Sequence, residues 1–151
     1  MDKDIQTLLN ELAHTWHQTI PVSRFMQLQP VDADNGVLSV SAPLEPNINL
    51  HQSMFAGSIY TLCTLTGWGA VWLAQQLGDV EGDIVLGRAD IRYLAPIVSA
   101  PVASVRFDNI DVGKLRRGQK LKQELQISLS CEGIPCAQFR GIYVSLPIVN
   151  I

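Results

Sequence analysis

The sequence predicts an α+β fold in which a curved antiparallel sheet wraps a long central helix, with an extra helix at the N-terminus. Three observations predict it. Residues 54–74 contain no acid or base, so a helix there has no wet face and must be enclosed on nearly all sides. From Gly82 onward the apolar period changes to two and stays there, the pattern of antiparallel strands with one dry and one wet face. The central helix is also the one element apolar enough to cover that dry face.

The elements follow in order. Ile5, Leu8, Leu9, Leu12 and Trp16 recur at helical steps, with Asp2 and Asp4 favourably placed near the start. Pro21 closes this helix. Residues 25–31 are expected to form a strand, and Asp34-Asn35-Gly36 turns the chain into a second, in which Leu38, Val40 and Ala42 alternate with Ser39 and Ser41. The central helix ends near Gly78. In the next strand, residues 84–95, Val85, Ala89, Ile91 and Tyr93 share one face, with Arg88, Asp90 and Arg92 opposite, and Pro96 stops it. Residues 102–107 alternate more weakly. Over residues 120–131, Leu121, Leu125, Ile127 and Leu129 oppose Lys120, Lys122, Glu124 and Ser128; Glu132-Gly133 turns into a last strand over 136–146. One helix, two strands, a buried helix and four strands make the architecture called a hotdog fold, as one domain over residues 1–151.

Composition narrows the function classes. The 151 residues, 47% hydrophobic with a net charge of −3, suffice for one domain with a core. They lack the basic excess of a nucleic-acid binder. Residues 54–74 are long enough to span a bilayer. However, they hold four Ser or Thr and three Gly, and the flanking charges Glu45 and Asp79 are acidic rather than basic, so no membrane span is expected. Met-Asp-Lys-Asp lacks the features of a secretory signal. Three cysteines, Cys63, Cys131 and Cys136, form no CxxC pair, which fits a reduced, cytoplasmic compartment. His14 and His17 lack a third ligand, so no metal is expected, and Cys63 reads as a buried small hydrophobe.

The chemistry is expected where the polar loop 47–53 meets the start of the central helix. Free N–H groups of a buried helix start, beside fixed polar side chains, suit a carbonyl oxygen or an anion. Asn47-Ile-Asn49, followed by Met54-Phe-Ala-Gly-Ser58 and Leu65-Thr-Gly-Trp-Gly69, resembles the putative thioesterase family of hotdog proteins typified by the YiiD C-terminal domain. Ile91-Arg-Tyr-Leu-Ala-Pro96 is similar to a strand signature of many hotdog thioesterases.

The resemblance implies a homodimer, or a dimer of dimers, with an acyl-CoA or acyl carrier at the subunit boundary and no cofactor beyond the CoA of the substrate. It puts Gly57 on the glycine whose N–H meets the thioester carbonyl and Asn49 on an asparagine eight positions earlier. Where relatives with a His-Gly-Gly start keep an acid, this chain has Thr64; where they keep the histidine, it has Phe55.

Each site residue also has a plainer reading. Gly57 and Ser58 also fit a simple helix start, with Ser53 or Ser58 as cap. Asn47 and Asn49 are also turn formers. His51 is either the general base or an exposed loop residue. Thr64 either positions water or bonds back to its own turn. Lys114, Arg116 and Arg117, continuing into Lys120 and Lys122, make either a solvated turn or a landing site for CoA phosphates. Gly67 and Gly69 are expected to admit a close neighbour, the central helix of a second subunit being the candidate. The expected activity is thioester hydrolysis. The alternatives are a non-catalytic acyl-CoA-binding module and, further off, a hotdog dehydratase or hydratase, which needs an acid the helix does not offer.

Overall fold

A computed structural model describes residues 4–148; Asp2 lies outside them. Helix α1 spans Ile5–Thr19 and buries Leu8, Leu9, Leu12 and Trp16, with Asp4 as its N-cap. Pro21 does more than end it. Proline is suited to a first helical turn, where no N–H is needed, and here it opens a short helix α2, Pro21–Phe25. The expected strand at 25–31 therefore starts late, as β1, Gln29–Asp32.

Strand β2 is Val37–Ser41, with Leu38 and Val40 buried. It is reached through a tight turn in which Asn35 and Gly36 take φ of 53° and 77°. The central helix α3, Ala56–Leu77, is followed by β3 (Gly82–Tyr93), β4 (Val102–Arg106), a short α4 (Gly113–Arg116), β5 (Leu121–Cys131) and β6 (Ile134–Pro147). The six strands form one antiparallel sheet in the order β1-β2-β4-β5-β6-β3. Among the described residues no helix is long and apolar enough to cross a membrane.

Strand β3 corrects one expectation. Its register with β6 shifts between Leu86 and Arg88, so Gly87 is an extra residue, and such a bulge reverses which side chains face inward. Ile84 and Leu86 pack on the core before it, Ala89 and Ile91 after it. Val85, expected inside, is half exposed, and so is Tyr93.

Helix α3 packs against β2, β3, β4, β5 and β6 and is crossed by α1. Ile59, Leu62, Cys63, Leu65, Thr66, Ala70, Val71, Leu73 and Ala74 are buried, yet Gly57, Thr61, Thr64, Trp68 and Trp72 are only partly covered. Those five recur at three- and four-residue steps, so they form one line along the helix. Apart from the two helix ends and Tyr60, which is exposed beside this line, the enclosure is complete but for that single seam.

The close approaches expected at Gly67 and Gly69 are made within the chain, by a strand residue and by α1. A Cβ at Gly69 would stand 3.0 Å from Trp16 Cζ2 and 3.1 Å from Leu12 and Leu38, while one at Gly67 would stand 2.2 Å from the Tyr143 hydroxyl oxygen. Tyr143 is fully buried, and its hydroxyl donates to the Thr64 carbonyl at 2.7 Å. Burial, then its neighbours Cys63 and Tyr60, pushes that phenol above its ordinary pKa, so it remains a donor.

At the far end Ser145 donates to Gln75, Gln75 Nε2 donates to the Gly82 carbonyl, and Arg116 donates to the Gly78 carbonyl. A cation there also suits the negative end of the helix. Gly67→Ala should destabilise the protein by about 1–3 kcal/mol, the usual range for overpacking. In urea unfolding the Tyr143→Phe change should recover part of that loss in the double variant. Strict additivity of the two changes would contradict the packing described.

Candidate active site

The loop before α3 is built by its two asparagines. Asn47 is 2% exposed; its Nδ2 donates to the Met26 carbonyl at 3.0 Å and to the Pro43 carbonyl at 2.8 Å. Its backbone carbonyl accepts the Phe55 N–H at 2.8 Å, which fixes where the helix begins. Asn47 Oδ1 is buried without a hydrogen-bond partner among the described residues.

Asn49 has the opposite arrangement. Its Oδ1 accepts from the His51 N–H at 2.8 Å, the Ser53 N–H at 3.2 Å and the Ser53 hydroxyl at 3.3 Å, while its own N–H donates to the Ser53 carbonyl at 2.8 Å. This is a self-bonded asparagine turn, and it leaves the Asn49 amide nitrogen as the group free to face a ligand. Met54 closes the loop by pairing with Ile48 and donating its N–H to the Ile97 carbonyl at 2.8 Å.

Phe55, not a serine, is the N-cap of α3, and the helix has no side-chain cap. The Phe55 carbonyl accepts the N–H groups of both Ser58, at 2.9 Å, and Ile59, at 3.0 Å. A helix start normally leaves four free donors. Here two remain among the described residues, those of Ala56 and Gly57. The donor beside Gly57 is therefore Ala56 and not Ser58, whose N–H is already taken.

The Phe55 ring lies over Gly57, where a Cβ would meet Phe55 Cε2 at 2.4 Å. It is 56% exposed, so it forms a lip on the site rather than a core anchor. Tyr93, at the end of β3, donates to the Ala56 carbonyl at 3.0 Å. This is the contact through which the Tyr-x-x-Pro strand signature reaches the helix start.

Two turns along the seam, Thr64 departs from its neighbours. Thr61 and Thr66 bond back to the carbonyls of Gly57 and Leu62, the common behaviour of helical threonine. Thr64 Oγ1 is buried and has no partner among the described residues. A buried hydroxyl without a partner carries a desolvation cost of about 1–3 kcal/mol, which a water or a ligand would relieve.

Cys63, one residue away, is pushed up to about 12 by burial, so it is no thiolate nucleophile. His51 is exposed on the turn that Asn49 holds. Lys114, Arg116 and Arg117 are not brought to Gly57 within the chain. Arg116 caps the last turn of α3 at Gly78, and that helix of 22 residues is about 33 Å long. Among the described residues no cluster suits a metal ion, and His17 is occupied with the Leu28 carbonyl at 2.8 Å.

Tyr143 and Phe55 as packing partners of the helix were not identified from the sequence. The signals present were the glycines opposite them, at 67 and 57.

A family described as putative thioesterase, the YiiD C-terminal type, matches residues 9–147. The chain belongs to this family. A crystal structure of the putative thioesterase from Shewanella oneidensis is similar at 60% identity and a TM-score of 0.92, over 94% of this chain and 99% of that one. A protein of unknown function from Chlorobaculum tepidum is similar at 26% identity and a TM-score of 0.86, over 95% and 97% of the two chains. A thioesterase from Haemophilus influenzae, 13% identical with a TM-score of 0.72 over 99% and 95%, shares the fold, which is the hotdog expected from the strand pattern.

Because Asn49 Oδ1 serves three bonds of the loop, Asn49→Ala should destabilise the protein by about 1–2 kcal/mol, since exposure dilutes a larger unmade-bond penalty. It should also speed proteolytic cutting within residues 49–53. An unaltered cleavage rate would mean that the turn does not depend on that side chain.

Proposed function

We propose that the chain hydrolyses acyl-CoA thioesters as a homodimer, with each active site shared between two copies. The observation that carries this is the pair of unbonded N–H groups at Ala56 and Gly57, on the same helix as the buried, partnerless Thr64 hydroxyl. The two donors suit the thioester carbonyl and the oxyanion that develops from it. Thr64 suits the attacking water. Water adds to the carbonyl carbon, the C–S bond breaks, the thiol leaves with a proton, and the acyl group departs as a carboxylic acid.

Spacing then argues for two copies. Seven residues separate Gly57 from Thr64, about 10 Å along a helix, too far for both to serve one carbonyl. A second copy whose α3 runs antiparallel across the seam would set its Thr64 level with Gly57. Strand β3 suits this: among the described residues it is a 12-residue edge without a neighbour on one side, and an exposed edge of that length is a template for pairing.

The same geometry gives the distant cations a role. Beyond its Thr64, the second copy's helix continues to its end at Gly78, about 20 Å further, where Arg116 is fastened. Lys114 and Arg117 on that turn are exposed and would meet CoA phosphates at the end of an extended pantetheine arm. His51 is the proposed proton acceptor, and the Asn49 amide nitrogen and the Phe55 ring flank the thioester. The same arrangement with binding but no turnover would be an acyl-CoA-binding module, a reading favoured by the absence of an acid at position 64.

Release of thiol from acyl-CoA separates the two readings. Thr64→Val should lower kcat by one to three orders of magnitude, about what a positioned polar group contributes. His51→Gln should lower kcat by about two orders of magnitude or more, the usual contribution of a general base. Unchanged kcat in either variant would remove that residue's assignment.

The shared site predicts complementation. A Gly57→Val variant and a Lys114→Glu/Arg117→Glu variant should each be impaired alone. Mixed and re-formed as hybrid dimers, they should regain up to half the native activity per hybrid, with one intact site. No recovery on mixing would place each site within a single copy.

A further inference from the structure

We infer that Tyr60 closes the inner end of the acyl site and restricts the protein to short acyl groups. The inference rests on the thioesterase reading of the Ala56–Gly57 donors and deepens it by naming the substrate class. Tyr60 stands three residues after Gly57 and four before Thr64, so its side chain is a neighbour of both positions on the helix surface. Whichever copy supplies the water-positioning hydroxyl, a Tyr60 therefore lies within one turn of the reacting carbonyl.

The ring is held in place. It packs edge-on against Phe139 of β6, with centroids 5.4 Å apart and planes at 75°, the favoured geometry of aromatic pairs. Phe139 is itself 1% exposed. Tyr60 nonetheless keeps 36% of its surface free, so one side of a fixed ring faces outward beside the site.

The packing inward of the ring is tight. Beneath this part of α3 the space between helix and sheet is taken by Tyr143, whose hydroxyl oxygen is 2.2 Å from where a Gly67 Cβ would be and hydrogen-bonded to Thr64. Gly141 is as tight: a Cβ there would stand 2.8 Å from the Tyr143 ring and 2.9 Å from Phe139. An acyl chain held by its carbonyl at Gly57 must run along the seam, where it meets Tyr60. The helical rise from Gly57 to Tyr60 is about 4.5 Å. At about 1.3 Å of advance per extended methylene, that leaves room for about three methylenes beyond the carbonyl, or about four carbons in all.

The test measures kcat/KM for four-, eight- and twelve-carbon acyl-CoAs with the native chain, Tyr60→Phe, Tyr60→Leu and Tyr60→Ala. The native chain should favour the four-carbon substrate, and Tyr60→Phe, which keeps the ring, should retain that preference. Tyr60→Ala should raise the eight- to four-carbon ratio by about tenfold or more, since each methylene newly admitted is worth about three- to fourfold. Tyr60→Leu, which still packs on Phe139, should shift the ratio the same way and guards against misfolding of the alanine variant.

Equal rates across the native series, or an unchanged ratio in both Tyr60→Leu and Tyr60→Ala, would overturn the inference while leaving hydrolysis standing. So would a phenylalanine variant that behaves like alanine, which would assign the effect to the hydroxyl. If no substrate is turned over, melting shifts with non-hydrolysable acyl-CoA thioethers of the same lengths take the place of rates. A length preference that Tyr60→Ala relaxes then supports the inference without hydrolysis, and the absence of any preference defeats it.

Discussion

Tyr143 reaching across from β6 to the Thr64 carbonyl is the contact on which the remaining geometry depends. A helix that carries no charge has no polar handle by which solvent or a salt bridge can orient it, so packing alone must fix its rotation and its axial position. Apolar packing is non-directional. A hydrogen bond with a fixed donor is not. The Tyr143 ring passes so close to Gly67 and Gly141 that no side chain fits at either, and its hydroxyl meets one particular carbonyl. That contact, with the Tyr93 hydroxyl on the Ala56 carbonyl and Trp68 Nε1 on the Ile84 carbonyl, fixes which residues of α3 face the seam. The polar ties at Gln75 and Arg116 hold the far end, so helix rotation is determined at two places a few turns apart.

With α3 fixed, its start is shaped by subtraction. Four donors would be available at an uncapped helix. The Asn47 carbonyl takes that of Phe55 and the Phe55 carbonyl that of Ser58, and the absence of a serine or aspartate cap leaves the other two open. A conventional cap would have been the more stable choice by about 1 kcal/mol. Instead the loop spends its side-chain carbonyl, Asn49 Oδ1, on itself, and Asn47 anchors the loop from below. The two asparagines thus brace a pair of backbone donors that neither of them occupies.

Much of this was legible from the residues, and the gaps have physical causes. An uncharged stretch of helical length and a lasting period of two were enough to order the elements, because both reflect burial directly. The inward face of β3 was misassigned for Val85, because a bulge at Gly87 reverses the alternation; an isolated glycine in a strand is a signal of such a bulge, but it does not fix where the register shifts. Asn49 could be read either as a turn former or as a ligand-facing group, and only the fold shows its Oδ1 bracing the loop, since an asparagine that bonds the chain and one that bonds a ligand look alike in a sequence. The cations of α4 could be counted but not located; only the fold shows Arg116 at the end of α3 opposite Gly57.

That opposition bears on how a chain without a helix acid would still handle a thioester. A carboxylate at position 64 would contribute both a proton acceptor and a repulsion toward a developing oxyanion nearby. Threonine contributes neither. The proposed site would rely on two backbone donors, whose partial positive charge at a helix start is fixed in direction and needs no reorganisation as charge develops. Burial raises the pKa of Cys63 and Tyr143, so both stay protonated. Proton removal would then be left to a group outside the helix, and the proposal gives it to His51 on the loop before α3. Oxyanion stabilisation and proton transfer would thus be assigned to different elements, the first to the uncapped helix start and the second to the exposed turn that Asn49 holds in place.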